Sequence, residues 1–231
     1  MADEKNLLLW GDTRVGKSTL LITALQGDIT ALPALDRAKS ADELRPLAEQ
    51  MRRLRTNGLM KPTSTYVDYR IATRHGAVVR IRDVKGGFTR SLGDDQHSRV
   101  IRSADAVLFV LEWQAADLGN QLNAIESAWD FTNGAHRGLV FTRCEVGLSA
   151  QDVAWQGARG WWRASSALLS SSSLIERFGD AVWPTSSFGY ELKWGNPAVI
   201  LGEFGQLLPY RISPRNVHLP FRWALSAMGV T

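Results

Sequence analysis

The chain alternates short, wholly apolar runs with longer stretches whose apolar positions recur at helical spacing. Asn6 to Trp10 is a leucine run that stops at Gly11, and Ala104 to Glu112 contains Ala-Val-Leu-Phe-Val-Leu. Runs apolar on both faces predict strands of a parallel sheet covered by helices on either side. Gly138 to Thr142 and Ala181 to Pro184 repeat the pattern more briefly. Tyr66 to Thr73 and Ala77 to Asp83 flank Arg74-His75-Gly76, which predicts a hairpin and hence one antiparallel edge strand. Helices are predicted over 18–26, 33–57, 114–133, 150–178 and 217–228. In the second of these, Ser40 followed three residues on by Glu43 is a capping signal. Gly119 weakens the first turn of the third, and the serine run Ser170–Ser173 reads as a joint within the fourth. Pro197, Pro209, Pro214 and Pro220 predict a loop and short helices after residue 196.

Length and composition narrow this picture. The 231 residues, 45% apolar and 22% charged, suit one α/β domain, with 33–57 as a helical insertion and 196–231 as a C-terminal extension. The net charge of +4 is spread along the chain, so nucleic acid is not indicated as a partner. A single cysteine, Cys144, forbids an internal disulfide, and His75, His97, His136 and His218 lack metal-ligand spacing, so zinc is not expected. The start Met1-Ala2-Asp3-Glu4-Lys5 has no signal-peptide character, and no apolar run approaches the roughly 20 residues of a membrane helix. A cytoplasmic protein without a membrane anchor is the expectation. Nine tryptophans, among them Trp155, Trp161, Trp162, Trp194 and Trp223, are read mostly as core, with interface anchoring as the alternative.

One segment carries explicit chemistry. Gly11-Asp12-Thr13-Arg14-Val15-Gly16-Lys17-Ser18 follows a strand, opens a helix and matches G-x-x-x-x-G-K-[ST] without deviation. The glycines let successive N–H groups curl toward phosphates, and the helix adds its positive end. Lys17 would bridge β- and γ-phosphate oxygens, and the Ser18 hydroxyl would ligate Mg²⁺. The expected fold is therefore the phosphate-loop NTPase type. Further on, Asp83 ends a strand, where a carboxylate can hold Mg²⁺ through water. Gly86, three residues later, can offer its N–H to a γ-phosphate. Between these segments lies Lys61-Pro62-Thr63-Ser64-Thr65. Thr63, approached by the stiffening Pro62, is favoured over Thr65 as a threonine that reaches Mg²⁺ only in the triphosphate state.

Thr142-Arg143-Cys144-Glu145 follows the third inner strand, and Trp183-Pro184-Thr185-Ser186-Ser187 follows the last. With these two segments the chain resembles the Ras- and Arf-like GTPases of the translation-factor-related class. The order of motifs agrees from Leu7 to Ser187. Thr142-Arg143-Cys144-Glu145 is similar to the family's [NT]-K-x-D, with arginine for lysine and glutamate for aspartate. The resemblance implies that the Arg143 stem covers the purine and that Glu145 accepts from guanine N1 and N2. It also implies that the turn at Ser186 and Ser187 contacts O6. The implied ligands are GTP or GDP with Mg²⁺. The implied role is a switch whose 58–66 and 84–98 segments order around Mg·GTP and gate an effector or activator protein, in a bacterial cytoplasm.

The family's water-positioning glutamine is Gly87 here, so intrinsic hydrolysis is expected to be slow. Gln96, His97, Lys61, Arg52, Arg53 and Arg55 are candidates to supply the missing group, each also readable as a solvated side chain. Two other readings stay open: a nucleotide-binding interaction module that scarcely hydrolyses, and an ATPase with a relaxed base motif.

Overall fold

The computed structural model describes residues 3–12, 14–26, 31–57, 67–84, 95–154, 172–190, 199–201, 207–209 and 213–230. Its elements run β1 (Glu4–Trp10), α1 (Lys17–Gln26), α2 (Ala41–Asn57), β2 (Val67–Ala72), β3 (Val78–Asp83), α3 (Asp95–Arg102), β4 (Ala106–Glu112) and α4 (Leu118–Ala128). A 3₁₀ turn, Trp129–Thr132, leads into β5 (His136–Thr142). Then come α5 (Ala150–Ala154), α6 (Ser173–Glu176), β6 (Val182–Pro184), β7 (Val199–Leu201), β8 (Leu207–Pro209) and α7 (Leu219–Ala227).

Six strands form one sheet in the order β2-β3-β1-β4-β5-β6. All neighbours are parallel except β2 and β3, whose register sets Val67 against Asp83 and Ala72 against Val78. This is the expected α/β architecture with its single antiparallel edge. Alternation along the strands builds two cores. Leu7, Leu9, Leu108, Val110 and Val140 face α1, α2 and α7. Leu8, Trp10, Val107, Phe109, Leu139 and Phe141 face α3, α4, α5 and α6. Both faces are thus apolar, which is why the inner strands read as unbroken hydrophobic runs. Trp10, Trp113, Trp129 and Trp183 are buried, and the half-buried Trp223 lies 5.3 Å from Trp183, so core packing holds for these tryptophans. Trp155, Trp161, Trp162 and Trp194 lie outside the described residues.

Three sequence expectations change. The 33–57 helix begins only at Ala41: residues 31–40 form turns, and Leu35 bridges Thr73 beside β2. Ser40 does stand before the first turn, but its hydroxyl donates to the Asp36 carbonyl (2.8 Å) and accepts the Ala72 N–H (2.9 Å), so it ties the start of α2 to β2. The segment after 196 contains an antiparallel pair, β7 with β8, where a loop and helices are expected, and Pro209 closes the second strand. Over 114–133 the helix is confined to 118–128, followed by the 3₁₀ turn. The stretch 155–171, which includes most of the predicted fourth helix, lies outside the described residues.

Helix α2 is no free appendage. Leu44, Leu47, Met51 and Leu54 enter the core shared with α1, while Arg52 and Arg53 pair with Glu49 on the solvent side. Ser40→Ala removes one buried donor and strands the Ala72 N–H, a loss of about 1–3 kcal/mol. Chemical denaturation should show a lower midpoint with an unchanged slope; an unchanged midpoint would mean that Ser40 does not fasten α2 to β2.

Candidate functional site

The connections leaving the carboxyl ends of β1 and β3 depart to opposite faces of the sheet, through α1 and α3 respectively. Crevices at such crossings are where open α/β sheets place ligands. The chain reaches the first by a sharp turn. Gly11 runs so close to β4 that a Cβ there would collide with the Val110 carbonyl oxygen, and Gly16 sits at φ +89, where a Cβ would meet the Thr142 hydroxyl at 3.4 Å, an ordinary contact. Gly11 is thus held to glycine by space and Gly16 by its left-handed backbone.

Inside this turn the Lys17 ammonium, on a residue only 6% exposed, donates to the carbonyls of Gly11 (2.9 Å) and Asp12 (2.8 Å). Burial draws its pKa below the usual lysine value, and the nearby Asp83 and Asp12 charges partly restore it. The neighbouring Ser18 hydroxyl donates to Asp83 Oδ2. Asp83 is itself buried at the end of β3 on the α1 face. The Tyr69 hydroxyl, on the same face, is pushed up to about 12 by burial first and the Asp83 charge second. Lys17 and Ser18 therefore form one polar cluster with Asp83, which lies 65 residues beyond Ser18 in sequence. Thr13, Thr63, Gly86 and the Lys61 and Thr65 candidates lie outside the described residues, as do the side chains of Arg55, Gln96 and His97.

The ends of β5 and β6 lie beside this cluster. Thr142 Oγ1 donates to the Val15 carbonyl and to Leu111 O (3.0 Å), which fixes the 11–18 turn against β5. Thr185 accepts the Cys144 N–H (3.2 Å) and donates both its amide (2.7 Å) and its hydroxyl (2.8 Å) to Phe141 O, so the 142–145 and 185–187 segments are locked together. Asn216, at φ 59, fastens the same corner through Pro184 O (3.1 Å) and Val153 O (2.5 Å). Arg143 occupies the left-handed region at φ 56 and its guanidinium pairs with Glu112 at 2.6 Å.

Glu145 differs from its neighbours. It is 2% exposed, and neither carboxylate oxygen has a hydrogen bond of ordinary geometry among the described residues. Burial raises its pKa; the Ser186 hydroxyl and the Arg143 charge lower it only in part. Ser186 accepts the Gly189 N–H on its hydroxyl (2.7 Å) and donates its own amide to Arg215 O (3.1 Å). The Ser187 hydroxyl lies 3.4 Å from that of Thr23 on α1. The described ones among the segments singled out in the sequence, the 11–18 turn, Asp83, 142–145 and 185–187, thus converge on one end of the sheet. Sequence reasoning missed the fasteners Glu112, Asn216 and Thr185 Oγ1, each of which works on a partner more than 30 residues away. It also missed a cavity of about 280 Å³ between Gly11, Asp12 and the first turn of α4, where Gln121 Nε2 donates to Asp117 Oδ1 at 2.7 Å.

No protein-family model matches this chain, and comparison with curated proteins finds no significant match. Among the described residues, no helix is long and apolar enough to cross a membrane.

Proposed function

We propose that this protein is a GTP-binding switch with slow intrinsic hydrolysis, of the Ras- and Arf-like kind, that controls a partner protein. The observation that carries the reading is the convergence of Lys17, Ser18 and Asp83 with a buried carboxylate, Glu145, that lacks a hydrogen-bond partner of ordinary geometry among the described residues. In it, the Lys17 ammonium exchanges the Gly11 and Asp12 carbonyls for β- and γ-phosphate oxygens, which are better acceptors for a charged donor. The Ser18 hydroxyl and the Asp83 carboxylate are hard oxygen donors suited to Mg²⁺, and their mutual hydrogen bond holds both near one point. Mg²⁺ there would neutralise phosphate charge.

Glu145 would accept from guanine N1 and N2, which gives its carboxylate donors of ordinary hydrogen-bond geometry. With the Ser186 amide already donated to Arg215, the Ser187 amide is the one to face O6. Arg143, held by Glu112, keeps its stem beside the base. Thr63 and Gly86 would report the γ-phosphate, and Gly87 leaves the attacking water without its usual glutamine, hence the slow hydrolysis. One observation favours an ATPase instead: burial presses Glu145 toward its protonated form, whose hydroxyl would donate to adenine N1.

The test is the thermal midpoint with Mg²⁺ and GTP, GDP, ATP or ADP in turn. A ligand at a hundred times its Kd adds about 2.7 kcal/mol, a rise of roughly 5–10 °C for a chain of this size. A rise confined to guanine nucleotides is expected. Adenine-selective rises would turn the reading to an ATPase, and no rise with any nucleotide would sink it.

A further inference from the structure

Arg14 lies within the 11–18 turn at φ +67, a left-handed conformation that disfavours any residue with a side chain. Gly16, two residues on, adopts the same region at φ +89 and bears no side chain to strain. An arginine retained where glycine fits better invites a functional explanation. Its charge supplies one. Arg14 is exposed, and among the described residues it makes no ion pair and no hydrogen bond, whereas Arg143 is neutralised by Glu112 at 2.6 Å and Arg53 by Glu49 at 3.0 Å. The C-terminal side of the turn is anchored: the next carbonyl, Val15 O, accepts from Thr142, and Gly16 lies beside the same side chain. The same short turn therefore carries a buried ammonium at Lys17 and, three residues earlier, an exposed guanidinium with no ion-pair partner among the described residues.

We infer that Arg14 is a second phosphate-binding cation, closing from the exposed side on the polyphosphate that Lys17 receives from within. This inference rests on the nucleotide-site reading. The planar fork of arginine presents paired donors matched to phosphate oxygens, a geometry that lysine reproduces only as a point charge. Binding a polyphosphate satisfies donors that otherwise face water, and the strained backbone is what aims them.

Arg14→Gly separates charge from strain, because glycine takes the left-handed conformation freely. The ligand-free variant should melt no lower than the wild type. Its Kd for GDP and for GTP, measured by calorimetry with Mg²⁺, should rise about ten-fold or more, the loss of one charge-assisted contact. Arg14→Lys should recover part of that affinity. Unchanged Kd values for Arg14→Gly, or equal losses in the glycine and lysine variants, would overturn the assignment while leaving the nucleotide site standing. A wild-type chain that binds neither nucleotide would overturn both.

Discussion

Lys17→Ala is expected to weaken nucleoside triphosphate binding at least a hundred-fold in a protein that folds as well as the wild type or better. The first half follows from the ammonium being the one cation enclosed by the 11–18 turn among the described residues, where its hydrogen bonds to Gly11 and Asp12 carbonyls are replaceable by stronger ones to phosphate. The second half follows from burial, which opposes the charged form of Lys17 more than Asp83 and Asp12 support it. A lysine whose folded pKa lies below its unfolded value destabilises the fold while both states carry the proton. That penalty disappears as pH rises through the folded pKa toward 10.5. The ligand-free wild type should therefore gain stability in this alkaline window, and the alanine variant should not. Nucleotide titration of a folded Lys17→Ala protein decides the matter: undiminished affinity removes the phosphate-loop assignment altogether.

The second large effect is at Glu145. Glu145→Ala should weaken guanine nucleotides about a hundred-fold and leave adenine nucleotides within a few-fold, since a buried carboxylate that accepts two donors discriminates strongly against a base lacking them. The pH dependence is specific. A glutamate with a raised folded pKa keeps its carboxylate only above that pKa, so guanine affinity should fall as pH drops through it, from a value higher than 4.5. Ligand-free stability runs the other way. In the window between 4.5 and the folded pKa the native state holds the proton more tightly than the unfolded chain, so stability declines as pH rises. Glu145→Gln, which keeps the shape without the charge, should raise the neutral-pH thermal midpoint and abolish that decline. Equal losses of guanine and adenine binding in Glu145→Ala would take this residue out of base recognition.

What the sequence announced were the features whose cause is local. Inner strands declare themselves because both of their faces are buried, and the β2–β3 hairpin because Gly76, at φ +86, supplies a turn that side chains resist. The glycine-rich turn is legible for the same reason. What stayed hidden depends on partners distant in sequence. Nothing near Ser40 says that its hydroxyl will reach β2, so the helix start at Ala41 is blurred into the preceding turns. Nothing near Arg143 foretells Glu112, and nothing near Ser186 foretells Arg215. The β7–β8 pair is too short, at three residues each, to impose a period, and Pro197 and Pro209 argue against strands there.

The segment from Ala34 to Asp36 has a consequence for how the molecule meets others. It lays Asp36 N–H on Ala72 O and the Ala34 carbonyl on Arg74 N–H, so part of the open flank of β2 already carries backbone partners. At the opposite flank β6 is only three residues long, and the chain beyond it bridges Ser186 to Arg215 in both directions. A sheet whose outer strands are capped or cut short offers little template for another chain to add itself by backbone pairing, the usual route to edge-to-edge aggregation. Strand addition at these two flanks of the six-stranded sheet is thereby disfavoured.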